Sequence, residues 1–325
     1  MTALDRPIFI VGCPRSGTTL LQCILSVSEQ AFSLPETHFF SYVLPTVDAT
    51  PSTALTPEML RRTRAAFEAD SDLPSLAALW ARLEARVAAE ALSLIDVFLS
   101  IVEEYRTRPA ARVIEKTPRH VLHLEQIGAC FPDAVFVNVI REPIDVASSL
   151  LGVPFETSRS VLSIAQRWTE SVLAAAAYER RAPGRLRSVR YEDLVRAPED
   201  TVREVCEFVE LPYAPAMLQE FGRQAARNVG RSETWKREVG QGVLLDRQGV
   251  WRTRMTPGQG WLVAQATRSL RRELGYTQMP TATRGSIASA SLAESAVRFR
   301  EARAYSSLIG AARHAGSVVK ALAPA

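Results

Sequence analysis

PIFIVGCPRSGTTLLQCIL (7–25) opens the chain, and its reading decides the fold. The apolar run 7–12, bounded by proline and glycine, predicts a buried strand. TTLLQCILSVSE (18–29) follows with helical spacing of its apolar residues. A strand, a glycine loop and a helix N-terminus form an anion site, because backbone N–H groups converge there and the helix dipole adds positive charge. The spacing Gly12-x4-Gly17 is that of a nucleotide-phosphate loop, with Pro14 and Ser16 inside it and the hydroxyls of Thr18 and Thr19 at the helix start. Magnesium-triphosphate loops continue with a lysine after the second glycine. Thr18 stands there instead, and Arg15 lies within the loop, where its planar fork suits a bidentate anion clamp. A P-loop nucleotide kinase is thereby disfavoured.

Outward from this corner, FSLPETHFF (32–40) reads as a short second strand that ends in a loop at Pro35. Residues 51–108 are rich in Ala, Leu, Arg and Glu, and Thr56-Pro57-Glu58 starts a helix with proline at its first position. This segment is expected to be a helical insertion. Strand signals return at ARVIEKTP (111–118) and at DAVFVNVIREP (133–143), the latter a continuous apolar run expected of a central parallel strand covered on both faces. Helices are expected at about 143–151 and 158–181, a strand at RLRSVRYEDL (185–194), and a helix at 197–211 with acids in its first turn. A loop at 240–255 precedes a last core helix beginning at TPGQGW. The alternation predicts an α/β fold with a doubly wound parallel sheet, a domain of residues 1–280, and a C-terminal helical tail at 281–325.

With 325 residues, 47% of them hydrophobic, the chain buries a full-sized core. Its four cysteines form no CxxC pair, which reads as reduced thiols in a cytoplasmic protein. The N-terminal segment lacks signal-peptide character, and no apolar run is long enough for a membrane span. The tail carries six basic residues against Glu294 and Glu301, which accounts for the whole formal net charge of +4. The body therefore gives no argument for nucleic acid, and the basic tail suits a membrane surface or a homodimer contact.

CPRSGTT resembles the 5′-phosphosulfate loop of the sulfotransferases that use adenosine 3′-phosphate 5′-phosphosulfate (PAPS). VIREPIDVASS (139–149) is similar to their 3′-phosphate motif, which implicates Arg141 and Ser149, with Ser148 as the neighbouring choice. EKTPRH (115–120) resembles the segment that sets a lysine, here Lys116, beside the sulfuryl group. VRYEDLVRAPEDTVREVCEFVELPY (189–213) resembles the fifth-strand region of bacterial members, bringing in Tyr191. DRQGVWRTRMTP (246–257) resembles the late loop that closes over the 3′-phosphate, with Arg247 and Gly249. The resemblance spans roughly residues 7 to 275 in the right order and implies a PAPS-dependent enzyme of P-loop-like fold without a metal.

The resemblance also assigns roles. Glu36 occupies the place of the glutamate base in the protein-tyrosine branch, whereas Pro118 stands where small-acceptor members carry a histidine base. Arg15 is expected on the 5′-phosphate and sulfuryl oxygens, and Lys116 on the leaving oxygen or the sulfuryl group. The acceptor hydroxyl stays open among carbohydrate, lipid, aromatic natural product and peptidyl tyrosine; the Ala- and Arg-rich, disulfide-free composition suggests a bacterial enzyme, which favours a glycan, lipid or secondary metabolite. His38 competes as base, Trp251 either stacks on adenine or packs, and Tyr191 and Glu192 read more readily as a surface ladder. His120 and His123, spaced i, i+3, lack a third ligand and read as polar packing. Cys13 reads as a small buried residue. A non-catalytic nucleotide-binding protein remains the other alternative.

Overall fold

The computed structural model describes residues 4–70, 76–106, 111–153, 158–228 and 247–301. Asp246 and the tail beyond 301, both part of the sequence expectations above, lie outside them. Five parallel strands form one sheet: β1 (Ile8–Gly12), β2 (Ala31–Ser33), β3 (Arg112–Lys116), β4 (Val135–Ile140) and β5 (Leu186–Arg190), in the order β2-β3-β1-β4-β5. Register is set by Ile10 opposite Lys116, Gly12 opposite Val139 and Ile140 opposite Arg190. The sheet is doubly covered, as the apolar runs predicted.

On β1, Phe9 and Val11 join a core on one face while Ile8 and Ile10 join a second core on the other. Phe136 and the Val135, Val137, Val139 set divide the same way on β4. This is the period-two alternation of a strand with apolar cover on both sides. Asn138 is the polar interruption; it is buried and donates to the Ser188 hydroxyl opposite it on β5 at 3.1 Å. β5 is an edge strand, and its Arg187 and Ser188 are exposed.

Two elements differ from the sequence expectation. β5 ends at Arg190, and residues Tyr191–Arg196 form a helix. Glu192 and Asp193 in its first turn favour the helix dipole over continuation of the strand. The ladder reading of Tyr191 and Glu192 falls with this change, and both side chains are buried. The expected loop at 240–255 contains a short helix, Trp251–Arg254.

After a π-helical turn at Phe39–Val43 and a short helix at Leu44–Val47, three longer helices, Pro57–Asp70, Ala77–Val87 and Leu94–Tyr105, fill the segment between β2 and β3. The last begins with a capping box in which Ser93 N–H donates to the Asp96 carboxylate at 2.8 Å. These helices bury Phe67 and Phe98 against Phe39, at ring separations of 6.2 and 5.2 Å. Burying an aromatic ring of this kind stabilises by about 1.5–3 kcal/mol.

The chain divides into two compact units. Residues 1–141 and 170–248 carry the sheet. Residues 142–169 and 249–325 form the second unit, which includes the helices Pro143–Leu151 and Pro257–Ala266. Within it, a buried Arg271 donates to Glu142 at 2.8 Å, and the residues 284–301 are helical. The Glu294 carboxylate accepts from Val161 N–H at 3.1 Å, and that of Glu301 from Arg159 N–H at 2.9 Å.

Candidate active site

The parallel sheet brings the ends of its strands to one edge, where open α/β sheets place their ligand sites. After β1 the chain turns through the loop 13–17 into α1 (Thr18–Leu25). Gly12 and Gly17 have φ of 145° and 100°. At Gly12 a Cβ would stand 2.5 Å from the Val139 carbonyl oxygen, and at Gly17 2.5 Å from the Tyr191 ring. Both positions therefore require glycine, because the backbones must approach closely and adopt a conformation L residues avoid. Arg15 is also left-handed, at φ 72°, which costs about 1–2 kcal/mol at a non-glycine residue. Strain of this kind is found where a loop is shaped for a ligand.

β4 ends at Ile140 and delivers Arg141, which is buried. Its guanidinium lies over the Tyr191 ring at 4.3 Å, donates to the Arg15 carbonyl at 3.3 Å and reaches the Arg247 carbonyl. Thus the loop, the end of β4, the residue after β5 and Arg247 meet around one guanidinium. The Ser16 hydroxyl in the same loop is fully buried and has no hydrogen-bond partner. A buried polar atom left open inside a glycine cradle, with an arginine beside it, fits a phosphate-bearing nucleotide.

On the other side of β1, β3 ends at Lys116 and the chain beyond β2 presents Glu36. The Lys116 ammonium, only 1% exposed, donates to Glu36 Oε1. His38 Nε2 lies 3.3 Å from the other Glu36 oxygen. The two residues expected to serve as base and sulfuryl-group lysine, 80 positions apart in sequence, are thus in contact, and the competing base His38 flanks the same carboxylate.

In the second unit, Ser148 is buried with an unpartnered hydroxyl, while Ser149 is half-buried. Gly249, at φ 74°, donates its N–H to Asp145 at 2.7 Å, and Trp251 N–H donates to the other oxygen of that carboxylate at 3.2 Å. Trp251 is half-buried and packs against Gly260, where a Cβ would come within 3.1 Å of its ring. Asp145 escaped the sequence reading; an acid in the first turn of a helix gave no sign that it anchors a loop a hundred residues away.

The sequence reading also missed Glu115, which is fully buried next to Lys116. Glu115 pairs with His120 at 3.0 Å, a buried polar contact of the kind expected for His120. His123 sits apart from this contact. Burial, with His120 and Arg119 nearby, lowers its pKa to about 4, so its ring is neutral at neutral pH. The cysteines Cys13, Cys23, Cys130 and Cys206 form no disulfide, and burial raises the Cys206 thiol to about 11, which keeps it protonated and unreactive.

A sequence model of the Sulfotransferase family matches residues 7–215, and the chain belongs to that family. It is 28% identical over 295 residues to the nodulation protein NoeE of Sinorhizobium fredii, covering 83% of this chain. It is 24% identical over 259 residues to protein-tyrosine sulfotransferase 1 of Danio rerio, covering 76% of this chain. The chain spans 66% of the length of each relative. The sulfotransferase domain of the Synechococcus PCC 7002 olefin synthase shares the fold, with a TM-score of 0.60 at 21% identity, over 86% of this chain and 97% of that one.

Proposed function

We propose that this chain transfers a sulfuryl group from PAPS to a hydroxyl acceptor, with Glu36 as general base. The observation that carries the reading is the contact of Glu36 with Lys116 on the same sheet edge as the arginine-bearing phosphate loop. As the acceptor oxygen bonds to sulfur, the bond between sulfur and the 5′-phosphate oxygen breaks and the acceptor proton passes to the Glu36 carboxylate. Transfer between two oxygens in line makes positioning and charge stabilisation the main tasks. Lys116 and Arg15 supply positive charge to the sulfuryl and leaving oxygens. The loop residues Pro14 to Thr19 receive the 5′-phosphate, and Arg141, Ser149, Arg247 and Gly249 receive the 3′-phosphate, with Tyr191 as the floor beneath the Arg141 guanidinium. No metal takes part.

The acceptor is a glycan, lipid or secondary metabolite, and the helices between β2 and β3 shape its entry. We place the reaction in the cytoplasm, in keeping with four cysteines outside any disulfide. Among the described residues no helix is long and apolar enough to cross a membrane. The helical residues 284–301 turn both acids inward and leave Leu292 and Phe299, 73% and 63% exposed, outward with Arg298 and Arg300. That face suits contact with a membrane surface or a second copy of the chain.

Labelled PAPS offered with cell extracts, followed by mass spectrometry for the added sulfuryl group, identifies the acceptor. Glu36→Gln is expected to abolish transfer while binding adenosine 3′,5′-bisphosphate (PAP) as the parent does, because it removes proton acceptance and keeps the side chain's shape. Lys116→Ala is expected to cost roughly 2.7–4 kcal/mol of transition-state stabilisation, the size of one preorganised donor. Retained transfer in Glu36→Gln, or an activity abolished by EDTA, overturns the reading.

A further inference from the structure

Behind Glu36 the chain makes a tight entry into a π-helical turn, Phe39–Val43, with His38 left-handed at φ 50°. The first N–H groups of any helical turn lack partners within it, and π turns concentrate at functional sites. Here four consecutive N–H groups find side-chain acceptors. Thr37 and His38 donate to the Thr117 hydroxyl at 3.2 and 3.4 Å. Phe39 donates to the Thr37 hydroxyl at 3.4 Å, and Phe40 to His120 Nε2 at 3.3 Å.

All three acceptors converge on one carboxylate. The Thr37 and Thr117 hydroxyls donate to Glu115 Oε1 at 2.8 and 2.7 Å, and His120 Nδ1 lies 3.0 Å from Oε2. With Nε2 accepting from Phe40, Nδ1 is the ring nitrogen that donates to Glu115. Burial alone would raise the Glu115 carboxyl, but His120 and the two hydroxyls outweigh it and hold its pKa below the usual range. Glu115, Thr37, Thr117 and His120 are all fully buried, so an unmet partner anywhere in the network would cost a desolvation penalty.

The consequence lies in where the network is tied. Thr37 follows Glu36, and Glu115 and Thr117 bracket Lys116 on β3. We propose that Glu115 is a positioning residue: it locks the turn carrying Glu36 to the strand end carrying Lys116, and so fixes the base at the distance and angle that proton transfer needs. The assignment rests on the sulfuryl-transfer reading above. Phe39 and Phe40 also pack against Phe98, and Phe40 stands edge-on to the His120 ring at 5.3 Å.

The test uses the full chain, PAP as the binding probe, and PAPS with the acceptor that the extract screen identifies. Thr117→Val removes the acceptor of two N–H groups and one donor to Glu115 without altering shape, and touches neither Glu36 nor Lys116 directly. It is expected to lower kcat about a hundredfold, the scale of an ångström-level misplacement, with the dissociation constant for PAP and the KM for PAPS unchanged within about twofold. Thr117→Ser keeps the hydroxyl and is expected to restore turnover to within about threefold of the parent. Should Thr117→Val not fold, Thr37→Val carries the same test, and Glu115→Gln is expected to follow the valine pattern. A folded Thr117→Val with parental kcat, or a loss of PAP affinity in step with kcat, overturns the assignment while leaving the functional reading standing. A parent protein that binds PAP and sulfates nothing overturns the functional reading, and this assignment falls with it.

Discussion

The two corners of the sheet edge are built by opposite means. Around α1, the phosphate corner is made of backbone: two glycines whose missing Cβ atoms admit a carbonyl and an aromatic ring, a strained Arg15, and an arginine held largely by carbonyls. Around Glu36, the base corner is made of side chains: two hydroxyls and an imidazole that receive four backbone N–H groups, all gathered on one buried carboxylate. In the proposed reaction the first corner receives a fixed anion, for which rigid backbone donors serve, and the second holds a base that gains and loses a proton, for which a hydrogen-bonded side-chain network serves.

The difference separates the effects of substitution. At the base corner, kcat falls and donor binding survives, as expected for Glu36→Gln and Thr117→Val. At the phosphate corner, donor binding falls first. Gly17→Ala brings both a left-handed backbone penalty of about 1–2 kcal/mol and a collision with the Tyr191 ring, Cβ to Cδ2 at 2.5 Å. It is expected to weaken PAP binding tenfold or more, about 1.4 kcal/mol, as read by calorimetry, while turnover at saturating PAPS stays near the parental value. An equal fall in saturated turnover would show that the two corners are one cooperative piece.

This division also governs what the sequence discloses. The phosphate corner is contiguous: Gly12 to Thr19 are neighbours in the chain, and the chemistry of each residue type is readable from its place in the loop. The parallel sheet and its double cover were likewise visible, because the apolar runs of β1 and β4 repeat without polar relief except at Asn138; the strand order was not. Arg141 was legible as a residue just beyond a central strand, but its seat over Tyr191 was not, since a helix rather than a longer strand follows Arg190. The base corner joins residues 36–40 to 115–120, and no local pattern marks a glutamate as buried beneath its neighbour's active lysine. Glu115 in EKTP looks like any charged residue at a strand end until the parallel pairing of β3 fixes which way it faces. For the same reason Asp145 went unread as the anchor of Gly249 and Trp251.

Arg141 supplies a finer test of the backbone-built corner. Lysine keeps the charge but loses the planar stack on Tyr191 and the fork that reaches two carbonyls. Arg141→Lys is therefore expected to cost about 1 kcal/mol in PAP affinity. The loss is expected to shrink for adenosine 5′-monophosphate, which lacks the 3′-phosphate. Equal losses for both ligands would move Arg141 from the 3′-phosphate to a general role in shaping the loop.

The smallest effect concerns stability, at the base corner and at His123 a turn beyond it. The His123 pKa drops from 6.5 unfolded to about 4 folded, through burial and the nearby His120 and Arg119. Above pH 6.5 both states are neutral there and the group costs nothing. As pH falls from 6.5 toward 4, the unfolded chain binds a proton that the folded chain refuses, so stability drains away across that window. Below about 4 the folded ring also protonates and this loss levels off. Glu115, held below its ordinary 4.5, acts lower on the scale: its contribution is present above 4.5 and is lost as pH falls through its folded value. The melting temperature is expected to decline in two stages, a shallow one between pH 6.5 and 4 and a steeper one below 4.5. His123→Gln is expected to flatten the first and leave the second. If the shallow stage survives in His123→Gln, another group titrates in that window; if Thr117→Val leaves the steep stage unchanged, the hydroxyl network contributes nothing to holding Glu115 ionised.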